Sequence, residues 1–176
     1  MKYLSKTQNF YELMLKLNSL NLTQIPLLKK ITLILDFKKL SISKDNLIDF
    51  YTIFQLITKQ KAIFCRSNKT ILHFNIQKNQ IQAFKVILHK YPMYTFLLYF
   101  IAFVTPKYPF FQKYNYQYKN KNIIFSFYNF NLFDEISFNY NLLQKNIFPK
   151  LRIVLHTTTK NKKEALIFCK NLQIPF

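Results

Sequence analysis

Hydrophobic residues fall in short patterned runs separated by polar stretches. Phe10, Leu13, Leu15, Leu17 and Leu20 mark one mostly apolar face and predict a helix from about Ser5 to Asn18. Pro26 forces a restart. LLKKITLIL alternates and is rich in isoleucine and leucine, which predicts a strand over Leu27–Leu35. Ser43 can cap a second helix whose first turn holds Asp45. Leu47, Ile48, Tyr51, Phe54 and Leu56 give that helix an apolar stripe through about Thr58. KAIFC, Lys61–Cys65, reads as a second strand.

Arg66–Gln82 is polar and irregular, with apolar residues at Ile71, Leu72, Phe74 and Ile76, and reads as a long loop or an extended hairpin. AFKVILH, Ala83–His89, alternates as a third strand. Pro92 opens an apolar helix carrying MYTFLLYFIAFV, Met93–Val104. Thr105–Asn122 is aromatic and lysine-rich without periodicity. Ile123–Phe130 is a fourth strand, Ser137–Lys150 a loop, and RIVLHTT, Arg152–Thr158, a fifth strand. A helix over Lys162–Asn171 follows, and Pro175 and Phe176 tuck against the core. This order predicts an α+β fold, a two-layer sandwich with a largely antiparallel sheet and helices packed on one face. Neither repeat nor linker interrupts it, so residues 1–176 are expected to form one domain. The other sheet face, carrying lysine and threonine, would be open to a partner.

Charge sharpens this picture. Lys plus Arg is 26 against Asp plus Glu 7, a formal net charge of +19. Such an excess repels itself unless a polyanion neutralises it, and the usual polyanions are nucleic acid and anionic lipid. Half the residues are hydrophobic, which is too apolar for a disordered basic tail. Gly and Trp are absent while Lys, Asn, Ile, Phe and Tyr abound, the codon bias of an AT-rich genome such as an organelle's. That bias inflates lysine, but it does not remove aspartate. The first residues lack the apolar stretch of about 7–15 residues that a secretory signal needs, and no transit peptide is evident, as expected for synthesis where the protein works. Met93–Val104 is shorter than the roughly 18–20 residues of a membrane span.

Catalytic chemistry finds few footholds. Cys65 and Cys169 are far apart and read as small buried hydrophobes. His73, His89 and His156 lie on separate elements without metal-ligand spacing, so neither a metal nor another cofactor is expected. Asp45 and Asp49 share a helix face without a histidine partner, and adjacent Asp134 and Glu135 cannot flank one bond from opposite sides. Without glycine there is no phosphate-cradling loop of the familiar kinds and no nucleophile elbow. An enzyme is therefore disfavoured. The basic turn before the last helix is more telling. Lys160, Lys162 and Lys163 stand where positive charge opposes the helix dipole, and a phosphate there would relieve it. Thr157–Thr159 end the preceding strand, where a hydroxyl can cap the turn into the helix.

Six motifs in order then match one known family. IPLLKKITLIL (Ile25–Leu35) resembles V-P-x-x-x-K-I-T-L-N, and QKAI (Gln60–Ile63) resembles Q-K-P-L. FNI (Phe74–Ile76) and KVIL (Lys85–Leu88) are similar to F-K-I and K-V-T-L at the family's spacing. Met93–Pro106 follows M-W-E-F…V-P, LFDEI (Leu132–Ile136) is similar to I-F-P-E-I, and TTTKNKKEALIFCKNLQIPF closes like T-T-A-K-x-x-E-E…L-x-x-x-F-P-F. From about Leu4 to Phe176 the chain resembles the universal large-subunit ribosomal protein five family. The resemblance implies a structural, non-catalytic protein of the central protuberance. Such a protein docks on large-subunit rRNA and 5S rRNA, extends a loop to the P-site tRNA, and touches neighbouring proteins including the small-subunit head.

Carried over by position, Lys30, Gln60, Lys61, Lys85 and His89 would lie on rRNA-facing strands, with Lys29, Arg66, Lys69, Lys160 and Lys162 as further rRNA contacts. His73, Asn75, Gln77, Lys78, Asn79 and Gln80 would form the tRNA-facing loop. Lysines contacting phosphates and aromatic or polar tips handling unpaired bases fit that role on physical grounds. There are departures. Ile34 and Ile87 replace polar family residues that contact RNA, which weighs against 5S rRNA. Leu98 and Tyr99 replace an exposed Glu and Arg, giving a helix apolar nearly all round, the pattern of a buried helix covered by an additional protein subunit. The expected home is a mitochondrial ribosome, with the chain encoded in the organelle. The rival from another class is a peripheral membrane or assembly subunit with Met93–Val104 in lipid. A nuclease, the second rival, lacks the acid cluster that two-metal chemistry requires.

Overall fold

Alternation along the strands sets the architecture seen in the computed structural model. The structure describes residues 4–19, 21–37, 44–74, 76–107, 116–127, 133–135 and 149–174. Expectations for Leu20, Ser43, Asn75, Leu132, Ile136, Pro175, Phe176 and residues 128–130 and 137–148 lie outside them. The elements are α1 (Leu4–Leu17), β1 (Leu28–Asp36), α2 (Lys44–Thr58), β2 (Ile63–Arg66), β3 (Ile81–Leu88) and α3 (Lys90–Tyr99), followed by β4 (Gln117–Lys119), β5 (Asn122–Phe127), β6 (Lys150–Thr157) and α4 (Lys162–Asn171).

The six strands form one sheet in the order β2-β3-β1-β6-β5-β4. Register fixes β2 with β3 and β4 with β5 as antiparallel. Terminal hydrogen bonds give the rest. Phe37 N–H, just past β1, donates to Gln82 O at the start of β3 (2.9 Å), Thr158 N–H donates to Leu27 O (3.1 Å), and Thr157 N–H donates to Lys121 O (3.3 Å). Each joins the end of one strand to the beginning of its neighbour, the signature of antiparallel pairing. The α+β class is therefore as expected, with one strand more than the sequence pattern indicated. The additional strand is β4. Its hairpin with β5 turns through Asn120 (φ 50°) and Lys121 (φ 63°), two consecutive positive φ values as in a type I′ turn.

Contacts divide the chain into two compact units, one of Met1–Ile31, His89–Phe125 and Val154–Phe176, the other of Thr32–Leu88 and Ser126–Ile153. In the second unit, α2 buries Phe50, Ile53, Phe54 and Ile57. Ile48 and Leu56, which the sequence reading put on its apolar stripe, are exposed. The stripe follows 50, 53, 54 and 57, the 3.6-residue phase, and Ile48 and Leu56 fall outside it. Phe37, Phe50, Tyr51, Phe64 and Phe84 form one aromatic cluster. The Phe37 and Phe84 rings meet edge to face at 4.8 Å, and Tyr51 stacks on Phe64 at 4.9 Å. Each fully buried ring of this kind contributes roughly 2–3 kcal/mol.

In the first unit, α1 packs on α4. Leu13 is buried there but Leu15 is exposed, contrary to the single face read from the sequence, because positions two apart point to nearly opposite sides of a helix. Helix α3 buries Met93, Phe96 and Leu97, then runs into a π-helical turn, Phe100–Val104, closed by Thr105 N–H donating to Phe100 O at 3.0 Å. The three threonines after β6 tie strands rather than cap α4. Thr157 Oγ1 donates to Lys121 O (2.7 Å), and Thr158 Oγ1 accepts from Leu27 N–H (2.8 Å). Tyr118 O–H donates to Thr159 O (3.2 Å), while Asn161, the N-cap, makes no side-chain cap bond.

A chain without glycine must place other residues where φ is positive. Lys59 (φ 53°) closes α2, its N–H donating to Gln55 O at 2.7 Å, and Asn18 and Gln173 occupy the same position after α1 and α4. These are positions that glycine ordinarily fills.

Candidate nucleic-acid interface

The described strands with regular alternation each carry one deeply buried register and one partly open register. In β3, Phe84, Val86 and Leu88 are buried, whereas Lys85 and Ile87 between them are half-buried. Lys85 lies opposite Ile63 in the β2–β3 ladder. In β1, Lys29 is exposed, and Lys30 and Ile34 are half-buried. Lysine suits such positions because its aliphatic stem can cover the sheet while its ammonium reaches water.

Stronger exposure occurs where the chain leaves the sheet. In the second unit, Lys61, Arg66 and Lys69 are exposed, and Gln60 is half-buried with its carbonyl accepting from Thr58 Oγ1 at 3.2 Å. From Ser67 to Gln80 the β2–β3 connection is a hydrogen-bonded hairpin extension, resolving the two expectations in favour of the hairpin. Ser67 N–H donates to Gln80 O (2.9 Å), Asn79 N–H to Ser67 O (2.9 Å), and Ser67 Oγ to Gln77 O. Ile71 and Ile76 exchange two backbone bonds of 2.9 and 3.1 Å. Gln77 N–H donates to Gln80 Oε1 at 3.0 Å, and Asn79 (φ 67°) takes the left-handed position. His73, Gln77, Lys78, Asn79 and Gln80 are all exposed on this element.

The hairpin also holds two residues that the sequence reading did not assign to a site. Leu72 is 83% and Phe74 73% exposed, on a short 3-10 turn. Their signal was an apolar pair in a polar stretch with no periodic partner. Cations at Arg66, Lys69 and Lys78 around an exposed phenyl ring can neutralise phosphates and stack an unpaired base.

In the first unit, His89 is exposed at the extended N-cap of α3. Lys160 and Lys162 are exposed at the start of α4, with Lys162 Nζ 5.5 Å from the centre of the Tyr116 ring. Lys160 N–H donates to Glu164 Oε2 at 2.9 Å, so the one acid of that turn is engaged with the backbone. Leu98 is exposed and Tyr99 half-buried on α3.

One arginine does not belong to this exposed set. Arg152 Nη2 donates to Asp36 Oδ1 at 2.6 Å and its Nε faces Oδ2, a forked pair with the carboxylate buried. Burial pushes the Cys169 thiol up to about 12, so it stays protonated and unreactive. Cys65, read from the sequence as equally buried, is half-buried, because β2 lies at the edge of the sheet. Among the described residues no three His, Cys, Asp or Glu side chains gather as a metal site, and no described helix is long and apolar enough to cross a membrane.

Known proteins give the same reading of the whole chain. Residues 82–176 match the C-terminus of the uL5 family of ribosomal proteins. The chain is 32% identical over 162 residues to the large ribosomal subunit protein uL5m of Reclinomonas americana, covering 91% of this chain and 88% of that protein. It is 29% identical to the uL5 protein of Karelsulcia muelleri, with 99% and 93% covered, and 30% identical to the uL5c protein of Oedogonium cardiacum, with 94% and 91% covered. The open antiparallel sheet, the absence of catalytic machinery expected from the sequence and these relatives converge: the chain belongs to the uL5 family of large ribosomal subunit proteins, a structural family and not an enzyme.

Proposed function

We propose that the chain holds rRNA in the central protuberance of a mitochondrial large ribosomal subunit, and that its β2–β3 hairpin reaches towards the P-site tRNA and the small-subunit head. The observation that carries this reading is the hairpin itself, with exposed Arg66, Lys69 and Lys78 around exposed Leu72 and Phe74. Lys29, Lys30, Gln60, Lys61, Lys85, His89, Lys160 and Lys162 are the further rRNA contacts, most of them exposed and the rest half-buried. Large-subunit rRNA is the anion, since a charge of +19 needs a partner of opposite sign. Half-buried Ile34 and Ile87 weigh against a 5S rRNA contact. The organelle assignment is supported by the mitochondrial-type relative and by the AT-biased composition.

The test is charge reversal at Lys61→Glu and Lys85→Glu together. The double variant should sediment less with the large subunit, and its rRNA affinity should show a salt slope shallower by about two. Wild-type incorporation with an unchanged slope would remove the assignment. Pelleting with lipid after ribonuclease treatment would point to a membrane-associated subunit instead.

A further inference from the structure

Helix α3 presents a second surface with different chemistry. One side is core, with Met93, Phe96, Leu97, Phe100 and Val104 all buried. The opposite side carries Tyr91 (63% exposed), Tyr94, Leu98 (66%), Ala102 and Phe103 (55%). Tyr91, Tyr94, Leu98 and Ala102 follow three- and four-residue spacing and form one ridge along about 22 Å of helix.

The π-helical turn keeps the ridge together. In a regular α-helix each residue turns about 100°, which would swing position 103 towards the side where Phe96 is buried. The wider π turn advances less per residue, so Phe103 stays outward against Tyr99, their rings 5.5 Å apart, while Val104 still reaches the core. The isolated chain thus exposes an apolar ridge that a regular helix would interrupt.

We propose that this ridge docks an amphipathic helix from another protein of the particle, one that carries carboxylates at both ends. No charged residue occurs from Tyr91 to Pro106, while Lys90 and Lys107 bracket the stretch. Phosphates find no cation within the ridge and cannot cover Leu98. A second copy is disfavoured by charge, because antiparallel self-packing sets Lys90 against Lys107 between bodies of +19 each. An apolar stripe ending in acids fits the ridge by side-chain packing and the lysines by charge.

The test uses the full chain assembled into its large subunit, with photo-reactive benzoylphenylalanine in place of Tyr91 and a control at exposed Gln117. Adducts are identified by mass spectrometry of the crosslinked peptide. The expected adduct is a peptide with apolar residues at three- and four-residue spacing and Asp or Glu at both ends. Leu98→Lys in the same chain should lower its yield roughly tenfold, as loss of a central interface residue does. Leu98 is exposed, so this variant should sediment with the large subunit like wild type, which separates the result from any loss of rRNA docking. An adduct to rRNA, to lipid, to a second copy or to a peptide without carboxylates overturns the proposal. So does a yield no higher than at Gln117, or one that Leu98→Lys leaves unchanged.

Discussion

Arg152 and Asp36 show how one pair can depart from the rule that governs the other cations. The chain has two arginines among 26 basic residues, and the structure uses this one internally, on strands that neighbour each other in the sheet. Its planar fork matches a buried carboxylate in a way that a lysine cannot. Arg152→Ala strips the partner from Asp36 and should cost about 2 kcal/mol, reduced from the fully buried case because the arginine side chain is about one-third exposed. Asp36→Asn keeps a hydrogen-bond acceptor and should cost less. Urea unfolding of both variants checks the order, and equal losses would mean that the pair does not act this way. Sequence alone did not reveal it, because 116 residues separate the partners and neither sits in a motif. What it did reveal at this scale was chemical type, since the lysines assigned to the surface are exposed or half-buried. Half-burial of Lys30 and Lys85 depends on sheet neighbours, which no local pattern encodes.

Elements were legible in proportion to their periodicity. The last helix, α4, has the bounds read from the sequence, and β1 and α1 lie within one residue of theirs at each end. Strand β4 was missed because its turn is Asn120–Lys121, without the glycine that usually announces a type I′ hairpin. The π turn was hidden for a different reason. A run that is apolar at nearly every position carries no phase from which to read one. Glycine's absence also has an energetic side. A non-glycine residue in the left-handed region costs roughly 1–2 kcal/mol, less for asparagine. Lys59→Gly should therefore stabilise the chain by about 1 kcal/mol, and Asn79→Gly by clearly less. Thermal unfolding of the two variants would show this order, and destabilisation by Lys59→Gly would refute it.

Charge acts on the molecule as a whole. At +19 the free chain repels itself, and screening should relieve that strain. Raising salt from about 0.05 to 0.5 M shortens the Debye length several-fold and should raise the melting temperature of the isolated chain by a few degrees. A polyanion that binds only the native form should raise it further. A melting temperature that falls with salt would mean that ion pairs, not repulsion, dominate the surface. The sheet and its basic character were foreseeable from pattern and composition, but its division into two compact units was not, because the boundaries run through β1, β5 and β6.

The pairing of α1 with α4 has a consequence for how the chain comes into being. During synthesis the first helix emerges long before its packing partner exists. Its apolar side, Leu13 included, must wait for nearly the entire polypeptide to be translated. The threonine ties impose the same delay on Leu27 and Lys121. Premature termination anywhere ahead of Lys162 would therefore leave a nascent product with an unshielded greasy surface, fit for quality control rather than for assembly.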